Sequence, residues 1–329
     1  MGKLKIIKNI DFKNMFKIIK KISNKTNKNY FFTVLDVIYS AIIYGAGYYD
    51  YQEFEFYNLN HKLRKTYLTR VKNNKIIRKY NDKNFFYKLD NKLEFNKLFK
   101  EYIKRDYLFI NNDNYKVFQK FVNKHQEFIV KPLDGEGGYG IQKMHINNKT
   151  NLKKLFHDLL SNNQVLIEEY INQHKKITEL YNNSVNTLRL FTFYDGTKTY
   201  VLNSVFKLGN GGVIDNFCSG GMYTFVDDNG KIIVPAIDQN DNIYYIHPIT
   251  KKDILGFVIP MYQEACNLVK EAAILIPEIK YIGWDVAITN KGPLIIEGNS
   301  FPGVFQIKPS LNNKKEGLIP KYQKVMKIK

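Results

Sequence analysis

Between Phe12 and Ile22 apolar side chains return every three or four positions, at Phe12, Met15, Phe16, Ile19 and Ile22, with Lys13, Lys17, Lys20 and Lys21 between them. That spacing predicts an amphipathic helix. Such a helix lies either in a membrane interface or on a protein core, and the second is the commoner use of the pattern. The segment 31–49 is the most apolar in the chain. It contains Asp36 and leaves thirteen uncharged residues from Val37 to Tyr49, short of the roughly 20 that a spanning helix needs. It reads as a buried helix ending near Gly45 and Gly47. Residues 1–80 are thus expected to be mostly helical, closing in the polar run 73–84, and a second helical stretch covers 92–102. From about Tyr107 strand and helix signals alternate. Strands are predicted at 127–132, 165–171, 187–194, 200–206, 231–235, 281–289 and 293–298, and a helix over 255–275. This order describes an α+β protein with segregated lobes rather than a regular βαβ array.

Composition narrows the class. With 329 residues, 44% of them apolar and 25% charged, the chain is a packed globular protein of about two domains or one enzyme of several lobes. Cys218 and Cys266 are the only cysteines and form no C-x-x-C pair, which excludes a disulfide framework and a cysteine-held zinc site and fits a reducing compartment. Residues 1–130 hold 27 basic and 12 acidic side chains, +15 of the net +19. Lysines outnumber arginines 45 to 5, a bias that an AT-rich coding sequence also produces. No arginine forks or aromatic-basic modules accompany the charge, so no nucleic-acid partner is expected. Residues 1–28 lack a small-residue cleavage site after an apolar run, and a cytoplasmic location is expected.

Four motifs carry chemistry. Lys131 ends a strand and is followed by a loop containing Gly135, Gly137, Gly138 and Gly140; backbone amides of such a loop can close on phosphate oxygens. Gly135, Gly137 and Gly140 match G-x-G-x-x-G, yet residues 141–146 read as a strand, so the loop reads as a phosphate-covering hairpin flap, with an ordinary glycine-rich turn as the alternative, rather than a dinucleotide turn. The apolar strand 165–171 ends in Glu168, Glu169, Tyr170 and Ile171, whose backbone can meet an adenine edge. Arg189, in Asn186-Thr-Leu-Arg189, is the only arginine beyond position 105, and its planar fork suits phosphate or carboxylate. The fourth motif is a hairpin, 281–289 and 293–299, joined by Asn290-Lys291-Gly292. Closing Thr289 on Pro293 sets Asp285 opposite Glu297, with Asn299 on the same face. Oxygen donors so placed suit Mg²⁺; a shared proton or a one-residue slip in register are the alternatives.

Together these residues resemble the ATP-grasp superfamily, most closely its sugar-transfer-associated branch of polysaccharide biosynthesis, related to TupA-like proteins. The resemblance rests on the 91–99 helix, Lys131 with its glycine loop, residues 167–174, 186–189, Asp215-Asn216, 283–287 and 297–303, with Asp50-Tyr51 and residues 54–59 in front. It implies an ATP-grasp fold, two α+β lobes clasping ATP, preceded by a helical N-terminal region. The expected division is a basic helical region 1–85, a first lobe 86–164, a second lobe 165–310 and a tail 311–329. By the same resemblance Lys131 contacts the α and β phosphates, the glycine loop covers them and residues 168–171 receive adenine. Asp285, Glu297 and Asn299 hold one or two Mg²⁺ or Mn²⁺, while Arg189 and Lys207 act on the transferred phosphoryl group. Lys175 stands where many members place an acidic residue for the ribose, and Lys207 where an arginine is commoner. The implied activity is an ATP-dependent ligase that joins a carboxylate to an amine, or to a hydroxyl, through an acyl phosphate, releasing ADP and phosphate. The branch and the basic front part suggest a capsule or exopolysaccharide substrate, a carboxylate glycan held as a lipid-linked intermediate at an anionic inner membrane face. The alternatives are a kinase of a sugar or amide and a non-catalytic nucleotide-binding partner of a glycosyltransferase. The oligomeric state is open.

Overall fold

Side-chain caps set the first two helices among the described residues. Asp11 accepts from the backbone N–H of Asn14 and opens Phe12–Thr26, and Asn29 accepts from Phe31 and Phe32 to open Tyr30–Tyr44, which closes on Gly45 at φ +67°. They belong to a computed structural model that describes residues 11–133, 140–212 and 215–328. The chain divides into two compact units, residues 1–79 with 303–329, and residues 80–302.

In the first unit Met15, Ile19 and Ile22 are buried with Val37, Tyr44, Tyr51, Phe54, Phe56 and Tyr67. The 12–26 helix is therefore a surface helix packed on a core, the commoner of its two readings. The 30–44 helix differs from the buried helix expected of it. It buries only Thr33, Val37, Ser40 and Tyr44, and its largest apolar side chains face outward. Total apolarity identifies a helix but not how many of its faces are covered. Arg64 ties the unit together, donating to both oxygens of Asp36 (2.5 and 2.7 Å) and, through Nε, to Phe56 O and Leu59 O at 3.0 Å. Residues 303–328 return to this unit, where Gln306 exchanges two hydrogen bonds with the backbone of Leu68 and Glu55 accepts from Ser310. Among the described residues no helix is long and apolar enough to cross a membrane.

The second unit holds two antiparallel sheets. Strands β1 (Tyr107–Phe109), β2 (Glu127–Lys131), β3 (Gln142–His145) and β4 (Leu166–Glu169) form one in the order β1-β4-β2-β3. The helices Tyr115–Lys124 and Leu152–Ser161 cover it through Phe118, Val122, Phe156 and Leu159. Strands β5 (Leu188–Tyr194), β6 (Thr199–Leu208), β7 (Met222–Phe225), β8 (Ala236–Asp238), β9 (Ile243–Tyr244), β10 (Tyr281–Thr289) and β11 (Gly292–Asn299) form the other, in the order β11-β10-β5-β6-β7-β8-β9. The helix Tyr262–Ile274 packs on it, burying Tyr262, Ala265, Leu268, Val269, Ala272 and Ala273. One strand prediction shifts: residues 231–235 contribute only isolated bridges, while the short β7, β8 and β9 take their place in the sheet. The α+β class, and strands rather than a helix after the glycine loop, are as the pattern predicts.

Candidate functional site

The hairpin β10–β11 sets the centre of the site. Asp285 is registered with Glu297, and Gly283 with Asn299. The pairing is the expected one, reached by a different route. Thr289 pairs with Gly292, not Pro293, so the loop is Asn290-Lys291 alone; the pairing then slips by one residue between Asp285 and Val286, which pairs with Ile295 and leaves Ile296 as a bulge. A bulge directly below two carboxylates is a common device for re-aiming side chains beside a site.

The third strand changes the electrostatics. Asp285 is also registered with Arg189 on β5, and Lys207 reaches it from β6. Arg189 donates to both Asp285 oxygens, through Nε and through Nη2 at 2.7 Å, and Lys207 Nζ lies 2.9 Å from Oδ2. Burial alone would raise the Asp285 pKa, but the two cations outweigh it and hold the carboxyl well below the carboxylate range. The sheet itself thus brings two cationic side chains to Asp285. Glu297 has no basic side chain in ion-pair contact among the described residues, and burial together with the Asp285 charge pushes its pKa up. Asn299 donates its amide nitrogen to Gly283 O at 3.1 Å, which leaves its oxygen as an acceptor. Asp215, absent from the candidate set above, is buried nearby and accepts from the Thr187 N–H at 2.9 Å and from its hydroxyl; burial raises its pKa. A carboxyl with displaced protonation, an amide oxygen and a second carboxylate make a hard oxygen donor set, and these residues fit a divalent cation such as Mg²⁺.

A second cluster forms on the four-stranded sheet. Glu168 lies 2.7 Å from Lys131 Nζ, 3.1 Å from Arg105 and 2.8 Å from the amide nitrogen of Asn96. Burial raises the Glu168 pKa, but Arg105 and Lys131 overcompensate and hold it below its usual range; burial in turn lowers that of Lys131. Arg105 goes further, donating to Ile295 O at 2.7 Å and Ile296 O at 3.1 Å, the carbonyls at the β11 bulge. Sequence reasoning missed Arg105, although its rarity in a lysine-rich chain marks it as it marks Arg189. β4 ends at Glu169. Tyr170 and Ile171 continue the chain directly beyond it. Glu169 accepts from Asp106 N, and Lys143 stands 3.8 Å from the centre of the Tyr170 ring.

One cleft joins the two clusters. Lys131, Glu168, Glu169, Tyr170 and Ile171 line it from one sheet; Lys207, Asp215, Asp285 and Glu297 line it from the other. Arg189, Asn299 and Gly140 are not among the lining residues. Gly140 has φ +74° and its carbonyl accepts from Gln164 at 3.1 Å. Gly135, Gly137 and Gly138 lie outside the described residues. Of the lysines in the 92–97 helix, Lys92 donates to Leu133 O at 3.1 Å.

Comparison with known proteins bears on this arrangement. Among solved structures the chain is similar to the ATP-grasp ligase PsnB complexed with minimal precursor, Mg and ADP, at 14% identity and a TM-score of 0.41 over 68% of this chain and 54% of that one. It is similar to D-alanyl-alanine synthetase A from Vibrio cholerae at 12% identity and a TM-score of 0.43, covering 72% of this chain and 63% of that one. The D-alanine–D-alanine ligase from Bacillus anthracis complexed with ATP shows 15% identity and a TM-score of 0.40 over 72% and 65%. The chain thus spans between about half and two thirds of these proteins' length. No curated protein matches. The family profile described as sugar-transfer associated ATP-grasp matches residues 71–327, a span that includes both sheets and every residue of the cleft, and the chain belongs to that family.

Proposed function

We propose that the protein is an ATP- and Mg²⁺-dependent ligase that activates a carboxylate as an acyl phosphate and passes it to an amine, releasing ADP and phosphate. The observation that carries this reading is the pairing, across one cleft, of the Lys131–Glu168 cluster with the Lys207–Asp285–Glu297 cluster. Phosphoryl transfer is catalysed mainly by positioned charge and needs no protein nucleophile. In this reading Lys131 faces the phosphates and is kept charged by Glu168 against the pull of burial. Backbone groups of Tyr170 and Ile171 meet the adenine edge, and the glycine loop 135–140 covers the phosphates. Asp285, Glu297 and Asn299 hold one or two Mg²⁺; the bound ion supplies charge neutralisation between the phosphates. Lys207 stabilises the γ-phosphoryl group in transit. Arg189, saturated by Asp285, fixes the angle of that carboxylate and acts as a positioning residue. The acceptor carboxylate then attacks the γ phosphorus as ADP departs, and the amine attacks the acyl carbon as phosphate departs. The family's description, sugar-transfer associated, points to a carboxylate-bearing glycan of capsule or exopolysaccharide assembly as the acceptor; its presentation as a lipid-linked intermediate at a membrane face is a further part of this proposal. The test is a substrate-panel assay for nucleotide products with mass detection of the conjugate: ADP release that requires both a carboxylate and an amine is expected, whereas AMP with pyrophosphate overturns the reaction class.

A further inference from the structure

We infer that the outward face of the helix Tyr30–Tyr44 docks on an anionic lipid bilayer and lies in its interfacial zone. Phe31, Phe32, Leu35, Ile38, Tyr39, Ile42 and Ile43 are 46 to 72% exposed and recur at three- and four-residue intervals, one stripe along a helix of roughly 22 Å at 1.5 Å per residue. At the 150–250 Å² that a large side chain presents, the stripe exposes on the order of 700 Å² of apolar surface, beyond what monomeric proteins leave uncovered without a partner. No exposed position from 31 to 43 is charged. The one acid on the helix, Asp36, is 32% exposed, and its charge is met by both Nη atoms of Arg64 and by the Tyr51 hydroxyl at 2.7 Å.

The neighbouring helix decides which partner fits. Phe12–Thr26 is joined to Tyr30–Tyr44 by three residues and packs beside it, both burying an i, i+4 row in the same core. Its outward positions Lys13, Lys17, Lys20, Lys21 and Lys25 are exposed, as is Lys28 in the connection. The pair therefore presents an apolar rail beside a cationic one. A second copy of the chain meeting this face about a two-fold axis that runs across both helices would set lysine rail against lysine rail, whereas an anionic leaflet offers opposite charge to one rail and hydrocarbon to the other in every orientation. No helix among the described residues crosses a membrane, so the contact is peripheral. The inference supplies the membrane contact that a lipid-linked acceptor requires and rests on the ligase reading to that extent only; its test uses no ATP, metal or substrate.

The experiment is vesicle flotation of the full chain at 50 mM salt, with phosphatidylcholine vesicles and with vesicles containing about 30% phosphatidylserine, alongside analytical ultracentrifugation. The wild type is expected to float with the anionic vesicles. Phe32→Asp/Ile42→Asp, at exposed positions, is expected to keep the wild-type melting temperature and to lose at least tenfold in vesicle affinity. Lys13→Glu/Lys17→Glu/Lys20→Glu is expected to lose a similar factor on the anionic vesicles alone. A wild type that stays unbound from both vesicle types, an aspartate variant that binds as the wild type does, or a wild-type dimer that the aspartate pair dissociates without any flotation each overturns the inference.

Discussion

Arg105 offers the sharpest test of how the site is held together. Its guanidinium and the Glu168 carboxylate are 2% and 5% exposed, and it also satisfies Ile295 O and Ile296 O at the β11 bulge. Arg105→Ala removes one member of a buried ion pair, a change that costs about 3–5 kcal/mol when the surviving charge is left alone. Here Lys131 and Asn96 still hold Glu168, which places the ion-pair loss near the bottom of that range. The two carbonyls left without donors add about 1 kcal/mol in all once water enters the vacated space. The total is roughly 4 kcal/mol, and at about 2–4 °C per kcal/mol for a unit of this size the melting temperature falls by about 12 °C. Arg105→Lys keeps the charge but not the fork, and about half the loss is expected. Acid extends the test. The Glu168 pKa is depressed in the fold, so its stabilisation is present above the unfolded value of about 4.3 and disappears as pH falls through the folded value; without Arg105 the loss starts at the same pH but is smaller and complete at a higher pH. Differential scanning calorimetry from pH 3 to 7 reads both effects. An Arg105→Ala protein that melts within about 3 °C of the wild type at pH 7 refutes the claim that this side chain couples β4 to the bulge.

The remaining expectations concern the metal centre and its supports. Asp285→Asn leaves Arg189 and Lys207 buried beside a neutral partner and is expected to destabilise the protein by about 3–5 kcal/mol, so it confounds folding with turnover; Glu297→Gln, with no basic partner to strand, should melt within a few degrees of the wild type yet lose at least a hundredfold in Mg-ATP turnover, and a Glu297→Gln enzyme of ordinary activity removes Glu297 from the site. Because the Glu297 pKa is raised in the fold, its contribution to stability is complete below about pH 4.3 and declines as pH rises through the folded value. Mg²⁺ must displace that proton, so calorimetric Mg²⁺ affinity is expected to increase with pH, and an equally steep increase in Glu297→Gln contradicts the assignment. At Gly221 a Cβ would stand 2.2 Å from Asp215 O, and since the obstacle is backbone, Gly221→Ala should lose about 3 kcal/mol in denaturant unfolding, the upper end for overpacking; an unchanged midpoint shows that the Asp215 loop is free to move.

Much of this was legible from the chain alone, and the limit has a physical cause. Periodicity is local: the i, i+4 row from Met15 to Ile22, the strand runs ending at Lys131 and Glu169, and the acid at each arm of the last hairpin are all written within ten or twenty residues, so helix, strand and the Asp285–Glu297 pair could be read off directly. What joins residues far apart in sequence could not. Arg189 lies 96 positions from the carboxylate it saturates, and Arg105 is 190 from the β11 carbonyl it holds; only the order in which strands assemble puts β5 and β6 beside β10, and so only the tertiary structure showed that Asp285 carries its own cations. The same holds for residues 303–328, whose return to the N-terminal unit rests on Gln306 meeting Leu68, and for the 30–44 helix. Its sequence states only that it is the most apolar stretch of the chain, and coverage by neighbours decides which of its sides meets the core and which is left facing outward.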